Sequence, residues 1–206
     1  MKNYNNNMVE VSGEIKSEIK FDHEIYGEKF YKFLIGTKRN SGYVDVIPVT
    51  VSERVISPEE ISEGDSVYIS GQFRSYNQYL DGKHKLGLTI FAKVIEKTDA
   101  DAKDKNEIEL VGFLCKEPSF RQTPFGREIA DIIFAVNRSY NKSDYIPCIL
   151  WGRNARYCQD LAVGTKMTLN GRIQSRSYQK NLPDGTVTEK TAYEVSVSRF
   201  CIENVI

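Results

Sequence analysis

The sequence lacks the features that mark several classes of protein. No apolar run approaches the roughly 18 residues that a membrane span needs, and the polar segment 1–7 has no apolar core of a signal peptide. No GxSxG, P-loop, HExxH or kinase-type motif is present. No group of carboxylates in the sequence suggests a metal-dependent nuclease. We therefore expect a cytoplasmic protein that does not act at a membrane and is not an enzyme.

Metal ligands and paired cysteines are also scarce. The four cysteines all lie in the second half without a CxxC pair, whereas the two histidines, His23 and His84, lie in the first half. Structural zinc sites need clustered ligands, so we expect no metal and no cofactor. Cys148 and Cys201 fall within strand patterns and are predicted to be buried as small apolar side chains.

The chain carries no net charge at pH 7, yet its two halves differ. The first 104 residues contain 14 Lys and Arg against 17 Asp and Glu, and the remainder contains 14 against 11. The modest basic character therefore belongs to the second half.

A repeat divides the chain into two similar copies. At an offset of 99 residues, segment 9–13 matches 108–112 and Pro48 matches Pro147; one insertion later, Gly71 matches Gly171. A register kept over most of a hundred residues indicates two copies of one domain. The predicted divisions are an N-terminal flexible tail at 1–7, a diverged first domain at 8–97, a linker at 98–106 and a second domain at 107–206.

Both copies show the same order of elements. Alternating apolar residues predict five strands per copy, at 9–16, 29–38, 43–52, 66–76 and 85–96, and at 108–115, 128–137, 144–152, 166–178 and 190–203. Short helices are predicted between the third and fourth strands, at 57–61 and 154–161. This order is that of the OB-fold, so the predicted fold class is all-β, with two tandem five-stranded OB-fold barrels.

Two strands of the second copy carry the pattern of a binding surface. In 144–152, Tyr145 and Trp151 share a face opposite buried-type residues, although the only tryptophan of the chain could also be a core residue. In 166–178, Arg172, Arg176 and Tyr178 share the face opposite the apolar residues. Aromatic rings between arginines suit a strand of nucleotides, because bases stack on rings and phosphates bind cations.

The second copy resembles the bacterial single-stranded DNA-binding protein family. The resemblance rests on five motifs in order, at 108–114, 117–126, 134–138, 149–152 and 171–176. It implies sequence-nonspecific binding of single-stranded DNA, which the protein would protect in replication, recombination or repair at the nucleoid. The positions of the family's stacking aromatics are occupied by Tyr140, Tyr145, Trp151 and Tyr178. Its phosphate-contacting residues correspond to Arg121, Arg153 and Arg176, and Arg138 and Arg172 are added by their face and position.

The first copy keeps only part of this set. Val46, Ser52 and Ser41 stand where the second copy has Tyr145, Trp151 and Tyr140. The residues that remain as candidates for nucleic-acid binding are Arg74, Tyr76, Tyr79 and Tyr43. The first copy is therefore expected to be a weak or specialised binder, or to serve mainly in oligomerisation.

The resemblance also implies how the chain assembles. Family members commonly present four OB-folds, so two per chain imply a homodimer. The sequence ends directly after the last predicted strand, so the family's acidic tail and the partners that it recruits are expected to be absent. Two alternatives stay open: an OB-fold scaffold of the primosomal or recombination-accessory kind whose first domain docks a partner, and an RNA-binding OB protein.

Overall fold

The computed structural model describes residues 5–80, 82–181 and 185–203; at residues 79, 80, 83, 84 and 181 it describes the backbone alone. The strands of the first half are β1 (Asn7–Ile15), β2 (Lys20–Ile25), β3 (Glu28–Lys38), β4 (Val44–Ser52), β5 (Ser66–Leu80) and β6 (Lys83–Lys97). Those of the second half are β7 (Asn106–Leu114), β8 (Ser119–Gln122), β9 (Glu128–Asn137), β10 (Ser143–Trp151), β11 (Lys166–Asn181) and β12 (Val187–Ile202). Helix α1 (Arg153–Cys158) lies between β10 and β11.

These strands form two barrels joined in one continuous sheet. The strand order is β2-β3-β4-β6-β5-β1-β7-β11-β12-β10-β9-β8. The first barrel (β1–β6) closes where β1 also pairs with β3, and the second barrel (β7–β12 with α1) closes where β7 also pairs with β9. The all-β fold class with two OB-like barrels is thereby confirmed.

Each barrel has one short strand that the sequence did not predict. The connection between the first and second predicted strands contains β2 in the first barrel and β8 in the second. All four residues of β8 are exposed, and none of the six residues of β2 is fully buried. Without a buried face, a strand shows no apolar alternation, so pattern reasoning could not find either of them.

Among the described residues, only the second barrel contains its predicted helix. There, α1 buries Ala155 and Cys158 against the barrel. The prediction of a helix at 57–61 is wrong, since these residues form turns in which the Glu60 amide donates to the Ser57 carbonyl. The segment offers a single buried side chain, Ile61, so it lacks the apolar stripe that stabilises a helix by packing.

Antiparallel pairing of β1 with β7 joins the two barrels. Val9 pairs with Ile108 at the centre of this junction. Asn7 extends it, because its side chain exchanges two hydrogen bonds of 2.8 Å with the backbone of Phe73. Asn106 does the same with Ile173, at 2.8 and 2.9 Å. Asn7 had been predicted in the tail and Asn106 in the linker; both are the first residues of strands.

The glycines that repeat between the two copies stand where two backbones approach closely. A Cβ atom on Gly13 would lie 2.0 Å from the Gly36 carbonyl oxygen where the first barrel closes, and one on Gly112 would lie 2.2 Å from the Ala135 carbonyl oxygen where the second closes. A real Cβ atom does not tolerate such distances, so both positions require glycine.

The cysteine predictions have mixed outcomes. Cys148 is buried, as predicted, and burial raises the pKa of its thiol. The prediction for Cys201 is wrong, because this side chain is exposed on β12 near the end of the last strand. Within the described ranges, no helix has the length and apolar character required to cross a bilayer.

Candidate nucleic-acid interface

Two open grooves follow the internal symmetry of the chain. The first groove, of about 960 Å³, lies between the first barrel and the β9–β10 hairpin of the second; it is lined by residues that include Lys32, Arg74, Tyr76, Phe91, Arg138, Lys142 and Tyr145. The second groove, of about 720 Å³, lies between the second barrel and the β3–β4 hairpin of the first; its lining includes Arg39, Tyr43, Arg127, Trp151, Arg172 and Arg176. Each groove therefore takes residues from both barrels.

Trp151 lies in the second groove at the end of β10. Its side chain is 37% exposed, whereas the preceding Leu150 is completely buried. The indole Nε1 donates to Ser196 Oγ at 3.2 Å, which fixes the edge of the ring. Trp151 is therefore a groove residue and not a core residue, and part of its surface is open to a ligand.

Tyr145 shares the strand and the parity of Trp151 but lies in the other groove. It is 46% exposed and lines the first groove, where its backbone amide donates to Ser75 Oγ of the first barrel at 2.9 Å. The two rings therefore lie on one face of β10 but line different grooves. Strand parity determines the side of the sheet, but it does not reveal which barrel packs against each end of the strand.

Two buried aspartates connect the barrels at equivalent positions. Asp45 accepts from Arg39 at 2.5 and 2.6 Å, and from the backbone amide of Ser175 in the second barrel at 2.8 Å. Asp144 accepts from the backbone amide of Ser75 in the first barrel at 2.7 Å. Both carboxylates are fully buried, so each depends on partners from both barrels.

Each aspartate belongs to a cluster with two arginines. Cluster A contains Asp45, Arg39 and Arg172; cluster B contains Asp144, Arg138 and Arg74. The Arg138 Nε lies 3.4 Å from Asp144 Oδ2. Burial lowers the pKa of Arg74 and of Arg172, and repulsion by the other arginine of each cluster lowers it further.

The clusters hold in position two arginines that were predicted to contact phosphates, Arg138 and Arg172. Arg138 and Arg172 line the grooves, but each also faces a buried carboxylate. With two guanidinium groups and one carboxylate, each cluster retains one positive charge beside its groove. Burial also raises the pKa of Asp144, while the hydrogen bond from Ser75 acts in the opposite direction.

The other candidates from the second copy are dispersed. Arg176 is exposed and lines the second groove. Tyr140 is 86% exposed in the β9–β10 turn, and Tyr178 is 40% exposed on β11. Arg121 pairs with Asp131 at 2.8 Å on β8 and β9. Among the residues described as lining the two grooves, Tyr140, Tyr178 and Arg121 are absent. Arg153, which is exposed at the start of α1, is absent from them too.

The first-copy candidates also divide between the grooves. Arg74 and Tyr76 line the first groove, whereas Tyr43 lies in the second, with the guanidinium of Arg39 4.6 Å from its ring centre. The side chain of Tyr79 lies outside the described residues. Tyr43 is thus a contribution of the first barrel to the groove that contains Trp151.

Sequence reasoning missed Phe91, Lys32 and Lys142, which line the first groove. The guanidinium of Arg74 lies over the ring of Phe91 at 4.3 Å, and Lys32 Nζ lies over the ring of Tyr76 at 4.7 Å. Lys142 completes the set from the second barrel. The signal for Phe91 appears only after the strands are paired, because the sequence repeat loses its register near the last hairpin.

Comparison with known proteins places this geometry in a family. Residues 105–202, which correspond to the second barrel, match the single-strand binding protein family. Single-stranded DNA-binding protein B of Bacillus subtilis is 39% identical over 84 residues, which cover 36% of this chain and 72% of the relative. Single-stranded DNA-binding protein 3 of Clostridium acetobutylicum is 38% identical over 100 residues, covering 44% and 68%.

A solved structure extends the likeness to both barrels. The wild-type single-stranded DNA binding protein from Thermus aquaticus superposes with a TM-score of 0.73 at 17% identity, over 96% of this chain and 93% of that chain. At this level of identity the likeness establishes a shared fold. The first barrel, which lies outside the family match, therefore has a structural counterpart in the Thermus aquaticus protein.

Proposed function

The chain belongs to the single-strand binding protein family, and on that basis we propose that it binds single-stranded DNA without strong sequence preference. The proposed role is to protect single-stranded DNA during replication, recombination or repair, by binding and without catalysis. The curated relatives are bacterial proteins, so we place this activity in the cytoplasm, where bacterial DNA lies.

One observation carries the mode of binding: the second groove combines an open indole with four arginines. Trp151 is accessible from the groove, and the residues that line this groove in the described chain include no Asp or Glu. A base can stack on the indole while Arg127 and Arg176, which are both exposed, contact the flanking phosphates. Stacking and charge need no particular base, which agrees with sequence-nonspecific binding.

Replacing Trp151 tests this mode. Trp151→Ala is expected to weaken binding of oligo-dT by roughly 5- to 100-fold, because stacking of one base contributes about 1–3 kcal/mol. Trp151→Phe is expected to retain most of the affinity, since it keeps a ring. Fluorescence anisotropy with labelled oligo-dT measures both variants.

The matched control is Tyr157→Ala, which removes a 59% exposed ring on α1 outside both grooves. This change should leave the affinity within about twofold of the wild type, since it touches neither proposed surface. Equal losses for Trp151→Ala and Tyr157→Ala would contradict the proposed mode.

The proposed assembly is a homodimer that presents four barrels. The proposal rests on the family resemblance together with the two barrels found in each chain. Sedimentation equilibrium is expected to give about twice the chain mass of 23.5 kDa. A stable species at the mass of one chain across micromolar concentrations would exclude the homodimer and leave the proposed DNA binding untouched.

A further inference from the structure

The first groove contains an aromatic residue at a position where the second barrel has none. Within the β5–β6 pair, Gly71 faces Ala92, and within the β11–β12 pair, Gly171 faces Val197. The residue before each of these partners is Phe91 in the first barrel and Ser196 in the second. The parallel pairs β4–β6 and β10–β12 give the same equivalence. Thr50 faces Phe91, and Ile149, which matches Thr50 at the repeat offset of 99, faces Ser196.

The reverse exchange occurs on the neighbouring strand. Trp151 ends the exposed face of β10, and its structural counterpart in the first barrel is Ser52 on β4. In the second barrel, the indole of Trp151 reaches across to Ser196. At these neighbouring positions each barrel therefore has one aromatic ring: Trp151 on β10 in the second barrel, and Phe91 on β6 in the first.

From this exchange we propose that the first groove is a second binding surface for single-stranded DNA, with Phe91 and Arg74 as its stacking layer. The proposal rests on the function proposed above and extends it to a barrel that the family match does not include. Phe91 is half-buried, and the guanidinium of Arg74 covers its ring at 4.3 Å. A planar, weakly hydrated guanidinium is itself a surface on which bases stack.

Asp22 also lines the first groove and pairs with Lys32 at 2.8 Å, so the charges that fit a phosphate backbone are those on the side of cluster B. Cluster B holds the guanidinium groups of Arg74 and Arg138 against the single carboxylate of Asp144, and therefore retains one positive charge. Lys142 is exposed in the same β9–β10 hairpin as Arg138, whose backbone amide donates to the Lys142 carbonyl at 2.7 Å. A phosphate between these groups supplies the missing negative charge and forms charge-assisted hydrogen bonds.

Further rings extend the surface towards the second barrel. Tyr76 lines the groove under Lys32, and Tyr145 enters it from the β9–β10 hairpin. Tyr145 is 46% exposed there. Because each groove takes one wall from the opposite barrel, the strand of DNA in each groove contacts both barrels, and separating the barrels would remove part of both surfaces.

The test uses the full-length protein and oligo-dT long enough to occupy both grooves. Phe91→Ala in a Trp151→Ala background is expected to weaken the remaining binding by about 5- to 100-fold, the range observed for loss of one stacked base. Phe120→Ala in the same background removes a 38% exposed ring on β8, outside the grooves, and is the matched control. It is expected to change the affinity less than twofold.

A second variant reports contact directly and does not depend on lost stability. Phe91→Trp in a Trp151→Phe background places the sole indole in the first groove, and oligo-dT is expected to quench its fluorescence. Quenching of Trp151 in the wild type without any change at the indole of Phe91→Trp would overturn this inference and leave the proposed function standing. Absence of oligo-dT binding in the wild type would instead overturn the proposed function itself.

Discussion

Asp45→Ala is expected to lower the free energy of unfolding by about 3–5 kcal/mol, which is the usual cost of removing one partner from a buried ion pair. The carboxylate is fully buried and accepts two hydrogen bonds from Arg39 and one from the Ser175 amide. Without it, Arg39 and Arg172 repel each other beside a buried amide that has lost its acceptor. Urea denaturation followed by circular dichroism measures the change.

Two further variants separate charge from general sensitivity. Asp45→Asn keeps an oxygen for the Ser175 amide but removes the negative charge, so its loss should be intermediate. Asp131→Ala breaks the exposed ion pair with Arg121, whose side chains are 39% and 52% exposed, and should cost about 0–1 kcal/mol. A loss for Asp45→Ala no larger than that for Asp131→Ala would show that cluster A does not hold the barrels together.

Binding of oligo-dT is expected to fall about 20-fold between 50 and 200 mM salt. Among the described residues, three cations line the grooves outside clusters A and B and outside the Lys32–Asp22 ion pair: Arg127, Lys142 and Arg176. For a single strand, each phosphate contact contributes about 0.7 to the steepness of log affinity against log salt, so three contacts give a slope of about −2. Affinities measured by anisotropy at several salt concentrations give this slope.

The slope can be assigned to individual residues. Arg176→Ala is expected to make it less steep by about 0.7, because one phosphate contact is lost. Arg156→Ala is the matched control, since Arg156 pairs with Glu128 outside both grooves. A slope near zero in the wild type would mean that phosphates do not contribute to binding, which contradicts the proposed role of the arginines.

Much of the fold could be predicted from the sequence because most strands have one buried and one exposed face. The offset between segments 9–13 and 108–112 located two copies, and alternation within each copy located five strands. β2 and β8 escaped because neither buries a face. The false helix at 57–61 arose from a capping signal without an apolar stripe behind it, and the segment forms turns instead.

The binding surface was less accessible to sequence reasoning, because it is assembled between barrels. Alternation correctly placed Tyr145 and Trp151 on the same face of β10, but the packing of the first barrel against one end of that strand sends them to different grooves. Asp45 and Asp144 lie at equivalent positions of the repeat, yet their partners Ser175 and Ser75 belong to the opposite copies. Such contacts follow from tertiary structure and leave no local pattern.

Titration of the wild-type protein with oligo-dT, followed by tryptophan fluorescence, tests the central claim most directly. Trp151 is the sole tryptophan of the chain, so the signal reports the second groove alone. The account predicts strong quenching at low salt, because a base stacks on the indole. At high salt, the same quenching should require a higher concentration of oligo-dT, because salt weakens the contacts between cations and phosphates. Oligo-dT that binds by anisotropy without quenching Trp151 would contradict the account, because the DNA would then lie away from the indole.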